Sequence, residues 1–400
     1  MSDRTRAIES IINLAKQIGP RLIEIEQQLH KDVYFGSKEA NTADFIIQAL
    51  KNLGFEGRQI TKNAIILELL GKDPSPTIAL QINIDSSRFA RSFDNVFSFN
   101  AARDMENVSL DIYAATGLGV TWVLNHFKSE IAGRIRILFL PVQEFHSGDS
   151  SKMINEIAFE NVKVGYGLYI DPTIPIGSVG IKFGPIVPSK NTFSIEITSK
   201  TADIVNPRMA VDKIQVAAQI ITALNQLSGR RIDPLKPVNI SIYSIQNEYS
   251  NQECSGSVLM QGLYHTLDAD VQEQIPSLIE NTVQGISKAY GVEYKLEFTG
   301  NSPILPNDRA TTMNLKMAAE EILGMDKVIN IKYPDVGVEN FTHYLKYVPG
   351  TLVHLGAKSY QIPQEFLQFN IFHIDKHGFE TGVKVLSWAL IRFLTSYSVS

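Results

Sequence analysis

Three groups of residues have the types and spacing to do chemistry. Glu144 and His146 place a carboxylate and an imidazole two positions apart, which could begin a metal site. His373, Asp375 and His377 repeat that two-residue spacing further along, again in a pattern a metal could use. Asp85, Asp104 and Glu106 gather acidic groups that could move protons. The plainer reading competes with each: a histidine at the end of a strand is usually solvated or hydrogen-bonded, and no second histidine cluster accompanies His146. Cys254 is the single cysteine and has no histidine beside it in sequence, so it reads as inert rather than as a nucleophile.

The elements that must carry these groups follow from periodicity. Helical spacing runs over Ala7 to Leu29, over Thr42 to Leu53 before Gly54, and over Ser109 to Phe127. Continuous apolar runs at Ala64 to Leu70, Ile78 to Ile84 and Ile135 to Pro141 predict short buried strands. Strands alternating with helices imply an α/β layer around a mostly parallel sheet. Between about Asn191 and Gly300 the pattern changes. A strand through Phe193, Ile195 and Ile197, a helix over Asp212 to Leu227, strands at Val238 to Ile245 and Val258 to Tyr264, a helix over Asp268 to Tyr290 and a strand at Val292 to Phe298 spell β-α-β-β-α-β, the ferredoxin-like order. The first grammar then resumes at Thr311 to Leu323, Thr351 to Gly356 and His377 to Leu394. A chain of 400 residues favours two or three domains.

Composition excludes some functions. With 37 basic and 42 acidic residues the net charge is −5, so the driving force for binding nucleic acid is missing. Met1 to Ser10 is polar, with no apolar core of an export signal, and no apolar stretch is long enough to span a membrane. One cysteine leaves neither an internal disulfide nor a multi-cysteine metal site. The expectation is a cytoplasmic protein without nucleic-acid or membrane partners.

Nearly end to end, the chain resembles the zinc-dependent aminoacylases, carboxypeptidases and amino-acid-conjugate amidohydrolases, above all the hippurate hydrolase and auxin-conjugate hydrolase branch. The matching segments include Leu29 and His30, Pro76 to Leu80, Asp85, Phe139 with Pro141 and Glu144, Pro175 to Gly184, Thr266 to Asp268, Asn307 with Asp308, and Gly337 with Glu339 and Phe341. The resemblance implies a two-domain metallopeptidase fold: a mostly parallel α/β sheet sandwiched by helices, at 1–187 and 301–400, with an inserted ferredoxin-like α+β lid and dimerisation domain at 188–300. It implies two zinc, manganese or cobalt ions that activate a water, and a glutamate that takes its proton.

The same resemblance implies an eroded site. The ligand positions read Ala101, Arg103, Glu144, Tyr169 and Gln368, so only Glu144 keeps a ligand side chain. Gln143 stands at the general-base position, and a neutral amide cannot accept the proton. In the lid, Asp203 replaces the histidine that polarises the substrate carbonyl, while Gln252 and His265 fall at an asparagine and an arginine position. Asp104 is left to support loop geometry, and His373, Asp375 and His377 fall beyond the site, at the surface. An Arg103–Glu144 ion pair could replace the metals as charge partner, since an arginine fork suits a carboxylate. The expectations are therefore no metal cofactor, no assignable catalytic residue, a homodimer through the lid, and a cleft for an acyl-amino-acid or peptide-like molecule without hydrolysis. The alternative is an active hydrolase of N-acyl amino acids or peptides with an altered or rebuilt metal site, using some set such as Glu144 with His146.

Overall fold

The computed structural model describes residues 3–34, 42–84, 103–141, 157–199, 211–247, 256–302, 304–332, 341–345, 347–358 and 377–397. The chain forms two compact units. One comprises Met1–Gly184, Asn307–Lys332 and Tyr344–Ser400, and the other Pro185–Pro306 with Tyr333–His343.

In the first unit the strands are β1 (Arg58–Thr61), β2 (Ala64–Leu70), β3 (Thr77–Ile84), β4 (Arg134–Pro141), β5 (Val162–Pro175), β6 (Val179–Ile181), β13 (Val328–Asn330) and β14 (Gly350–Lys358). They make one eight-stranded sheet in the order β1-β2-β4-β3-β5-β14-β6-β13. Its centre is parallel: β3 pairs parallel with β4 and β5, and β5 parallel with β14. Every residue of β3 is buried, as a strand covered on both faces requires. Helices α1 (Asp3–Tyr34), α3 (Arg103–His126) and α7 (His377–Tyr397) pack on one another, and α3 lies against β3. Gly119 lets α3 approach so closely, because a Cβ there would stand 2.5 Å from Val383 Cγ2 and 2.7 Å from Leu22 Cδ1. Helix α2 (Thr42–Asn52) and helix α6 (Arg309–Leu323) belong to the same unit.

The second unit holds β8 (Ser189–Thr198), α4 (Lys213–Arg230), β9 (Val238–Asn247), β10 (Val258–Thr266), α5 (Ala269–Tyr290) and β11 (Glu293–Ser302). The four strands form an antiparallel sheet in the order β11-β8-β10-β9, the ferredoxin-like arrangement. Along β8 and β10 burial alternates residue by residue, so one face is dry. Phe193, Ile195, Ile197, Met260, Val216, Ile220, Leu224, Ile275, Ile279 and Val283 fill that core. Capping sets the helix starts: Asp212 accepts from the backbone of Ile214 and Gln215, and Asp268 from Val271. β7 (Gly184–Val187) and β12 (Leu305–Asn307), at the ends of the inserted stretch, pair as a two-stranded ribbon. Among the described residues no helix is long and apolar enough to cross a membrane.

Candidate functional site

In sheets with parallel centres, ligands bind beyond the C-terminal ends of the strands. Here the adjacent strands β3, β5 and β14 bring polar side chains to that end. Register pairs Gln81 with Gly167, Gly167 with Leu352, Tyr169 with His354 and Asp171 with Gly356. Paired residues share a face and alternate residues return to it, so Gln81, Asn83, Tyr169, Asp171 and His354 line one side of the sheet. On the opposite side Ile82, Leu168, Ile170, Val353 and Leu355 enter the hydrophobic core.

Strand β5 is held by bonds to two helices, α3 and α6, the second of them tied on to α7. The Ile170 N–H donates to the Tyr113 hydroxyl on α3 at 2.9 Å. The Tyr166 hydroxyl accepts from Asn314 Nδ2 on α6 at 2.9 Å, and Asn314 Oδ1 accepts from Arg392 on α7 at 2.7 Å. Burial pushes the Tyr166 phenol far up, so it remains a neutral member of this network.

Asp171 and His354 form a buried pair, 7% and 1% exposed, with His354 Nδ1 2.8 Å from Asp171 Oδ2. The other carboxylate oxygen accepts from the Thr173 N–H at 2.8 Å and from its hydroxyl at 2.6 Å. Burial alone would raise the Asp171 carboxyl, but the hydrogen bonds from His354 and Thr173 outweigh it and hold the group below its ordinary value. An ionised Asp171 can only accept, so Nδ1 of His354 carries the hydrogen of this bond. The Nε2 of His354 is buried and has no hydrogen-bond partner among the described residues. The half-buried Tyr169 ring lies beside it, with ring centroids 4.7 Å apart. An imidazole oriented by a carboxylate is a group that can bind a ligand or move a proton at its second nitrogen. A neutral phenol such as that of Tyr169 does neither well.

Of the residues singled out in the sequence, Tyr169 is the one this arrangement contains. Arg103, Asp104 and Glu106 lie in the first turn of α3 and His377 opens α7, but their side chains fall outside the described set. Asp85, Ala101, Gln143, Glu144, His146, Asp203, Gln252, Cys254, Gln368, His373 and Asp375 lie outside the described residues. His265, on β10 of the second unit, is half-buried with Nδ1 3.1 Å from the Ser189 carbonyl. Among the described residues no group of three histidine, cysteine or acidic side chains could hold a metal. Among the described residues this face therefore offers a metal one nitrogen, the Nε2 of His354, and no set of side chains that could hold it. Asp171 and His354 were not legible as a site, being far apart in the chain; their one signal was two polar residues inside otherwise apolar strands.

No family model matches the chain. Over 393 residues it is 28% identical to a "probable hydrolase" of Synechocystis sp., covering 97% of this chain and 99% of that protein. It is 27% identical to the N-acetyl-L-cysteine deacetylase of Bacillus subtilis, covering 84% and 80% of the two chains. The fold matches the crystal structure of a Bacillus subtilis dinuclear metal-binding peptidase of the M20 family, with a TM-score of 0.74, 21% identity, and 95% and 99% of the two chains covered. This neighbour overturns the expectation that no metal is used. Unlike letters at a few expected positions do not by themselves remove a metal, and the M20 neighbour with this fold is a dinuclear metal-binding protein.

Proposed function

We propose that this chain, a relative of the amidohydrolases and M20 peptidases, binds an acyl-amino-acid or peptide-like molecule and does not hydrolyse it through the inherited ligand set. What supports this reading is Tyr169: it stands on β5, a strand bonded to α3 and α6, and the family resemblance reads its position as one from which relatives draw an imidazole ligand. Gln143 and Asp203 support it from the sequence, since neither can do the work of the base or of the carbonyl-polarising histidine. The hippurate and auxin-conjugate branch supplies the ligand class to try first. The reading includes an Arg103–Glu144 ion pair as the charge partner in the cleft, a homodimer through the inserted unit and a cytoplasmic location.

A second reading is favoured by one observation, the Asp171–His354 pair: an active hydrolase of N-acyl amino acids or peptides with a rebuilt metal site. One experiment separates the two. Hippurate and N-acetyl amino acids are titrated calorimetrically into the protein equilibrated with zinc, manganese or cobalt, and the same mixtures are assayed for released amino acid. Binding without release is expected. Sustained release above the metal-only blank transfers the assignment to the second reading, and neither binding nor release removes both.

A further inference from the structure

We propose that Met317 is an oxidation site at which the new sulfoxide oxygen is taken up by the guanidinium of Arg392, so that peroxide tightens the contact between α6 and α7 instead of breaking it. A shortage of acceptors around Arg392 carries the proposal. Its side chain is mostly buried and has three nitrogens to satisfy. Nη1 donates to Asn314 Oδ1 at 2.7 Å. Nε stands 3.5 Å from Glu321 Oε1 and makes no hydrogen bond among the described residues. That carboxylate accepts instead from Trp388 Nε1 at 2.7 Å and from Arg4 Nε at 3.2 Å. Among the described residues Nη2 has only the Met317 sulfur, 3.2 Å away. A thioether is a weak acceptor, so this side of the cation is poorly paired.

An oxidant can reach this side chain. Met317 is exposed on α6, as are Met313 one turn earlier and Met325 just beyond the helix. Hydrogen peroxide transfers one oxygen to a thioether: a sulfur lone pair forms the S–O bond, the O–O bond breaks, and the displaced hydroxide takes the remaining proton and leaves as water. Sulfur gives up two electrons and the peroxide gains them. The product is polar, and at an apolar contact it disrupts packing. Beside Arg392 it replaces a weak acceptor by a strong one, and hydrogen bonds that involve a charged group are the stronger class. The effect does not end at the surface. Asn314, held by Arg392, donates to the Tyr166 hydroxyl on β5 at 2.9 Å and to the Ala389 carbonyl at 2.8 Å. Two side chains, Arg392 and Asn314, therefore join an exposed thioether to a central strand of the sheet.

The test compares full-length wild type with Met317→Leu, which keeps the bulk and removes the sulfur. Both are treated with hydrogen peroxide, the sulfoxides are located by peptide mass spectrometry, and unfolding in urea is followed by tryptophan fluorescence. The other methionines are common to both proteins, so the difference between them isolates Met317. Met317 is expected to convert along with Met313 and Met325. Treatment should then increase the unfolding constant about 3–10-fold less in wild type than in Met317→Leu, the worth of roughly one added hydrogen bond. A Met317 left unconverted when Met313 and Met325 are fully oxidised overturns the proposal, and so does a wild type that loses as much stability as Met317→Leu or more. Should Met317→Leu fail to fold by circular dichroism, nitrogen NMR of the wild-type guanidinium groups decides. Oxidation should shift the Nη resonance of Arg392, and an unmoved resonance in protein with Met317 fully converted overturns the proposal.

Discussion

Replacing Arg136 should loosen the first unit more than any other single change in its polar framework. The guanidinium sits on β4, its side chain 9% exposed, and works in two directions. Nε and Nη2 hold Glu68 on β2 at 2.9 and 2.6 Å. Nη1 holds the carbonyls of Ile157, Ala158 and Glu160 at 3.2, 2.9 and 3.0 Å, the chain that leads into β5. Arg136→Met keeps the apolar stem and removes every donor. Glu68 is a third exposed and retains Arg134, so its share of the loss is small. The carbonyls lose a charge-assisted donor in a dry place, and together with the broken ion pair the cost comes to about 3–5 kcal/mol. Arg136→Lys keeps the charge without the fork and should cost about half as much. Glu68→Gln should cost about 1–2 kcal/mol. Both tryptophans, Trp122 and Trp388, lie in the first unit, so their fluorescence follows its unfolding in urea separately from the inserted unit. The expected result is a lower midpoint at an unchanged slope. A loss below about 1 kcal/mol for Arg136→Met would refute the clamp, and a Glu68→Gln cost above that of Arg136→Met would put the energy in the ion pair instead.

Gly356→Ala should destabilise the first unit by about 1–3 kcal/mol, because its Cβ meets the backbone at Pro175 rather than a side chain that can swing away, and tryptophan-detected unfolding gives the number. In the inserted unit, Ile214, Tyr243 and Ile245 are exposed on α4 and on edge strand β9. They support the proposed homodimer: light scattering should give twice the 44.6 kDa chain mass, with Tyr243→Lys and Ile245→Lys together returning it to one chain, and a wild type already at one chain ends the proposal. Burial, and secondarily the charge of Lys190, holds the His265 imidazole below its ordinary value of 6.5 despite the opposing bond to the Ser189 carbonyl. The unfolded chain then takes up the proton more readily, so this site's contribution is intact above about pH 6.5 and erodes as pH falls below it. Melting temperatures from pH 5 to 8 should converge for wild type and His265→Gln at the acid end, and parallel curves would refute the assignment.

What the sequence made legible depended on local rules. Asp212 and Asp268 announce their helices because an N-cap acts within three residues, and β8 and β10 show their buried face because alternation is a property of the strand itself. The long strand β5 escaped the same reading. Gly165 and Gly167 interrupt its apolar run, and Gly165 is where the backbones of β5 and β14 come close, a Cβ on Gly350 falling 2.4 Å from its carbonyl oxygen. Asp171 breaks the run again, for a reason that lies on β14. That reason is out of reach of periodicity, since 183 residues separate Asp171 from His354 and only the parallel register brings them together. The family resemblance singles out Tyr169 as a position where an imidazole is expected. Position-by-position comparison can record only losses at fixed positions, whereas a functional group on a parallel sheet can pass to the paired residue of the next strand and keep nearly the same place in space. The geometry around Tyr169 is therefore better judged by which donors face the C-terminal edge of β3, β5 and β14 than by which letters survive in a motif.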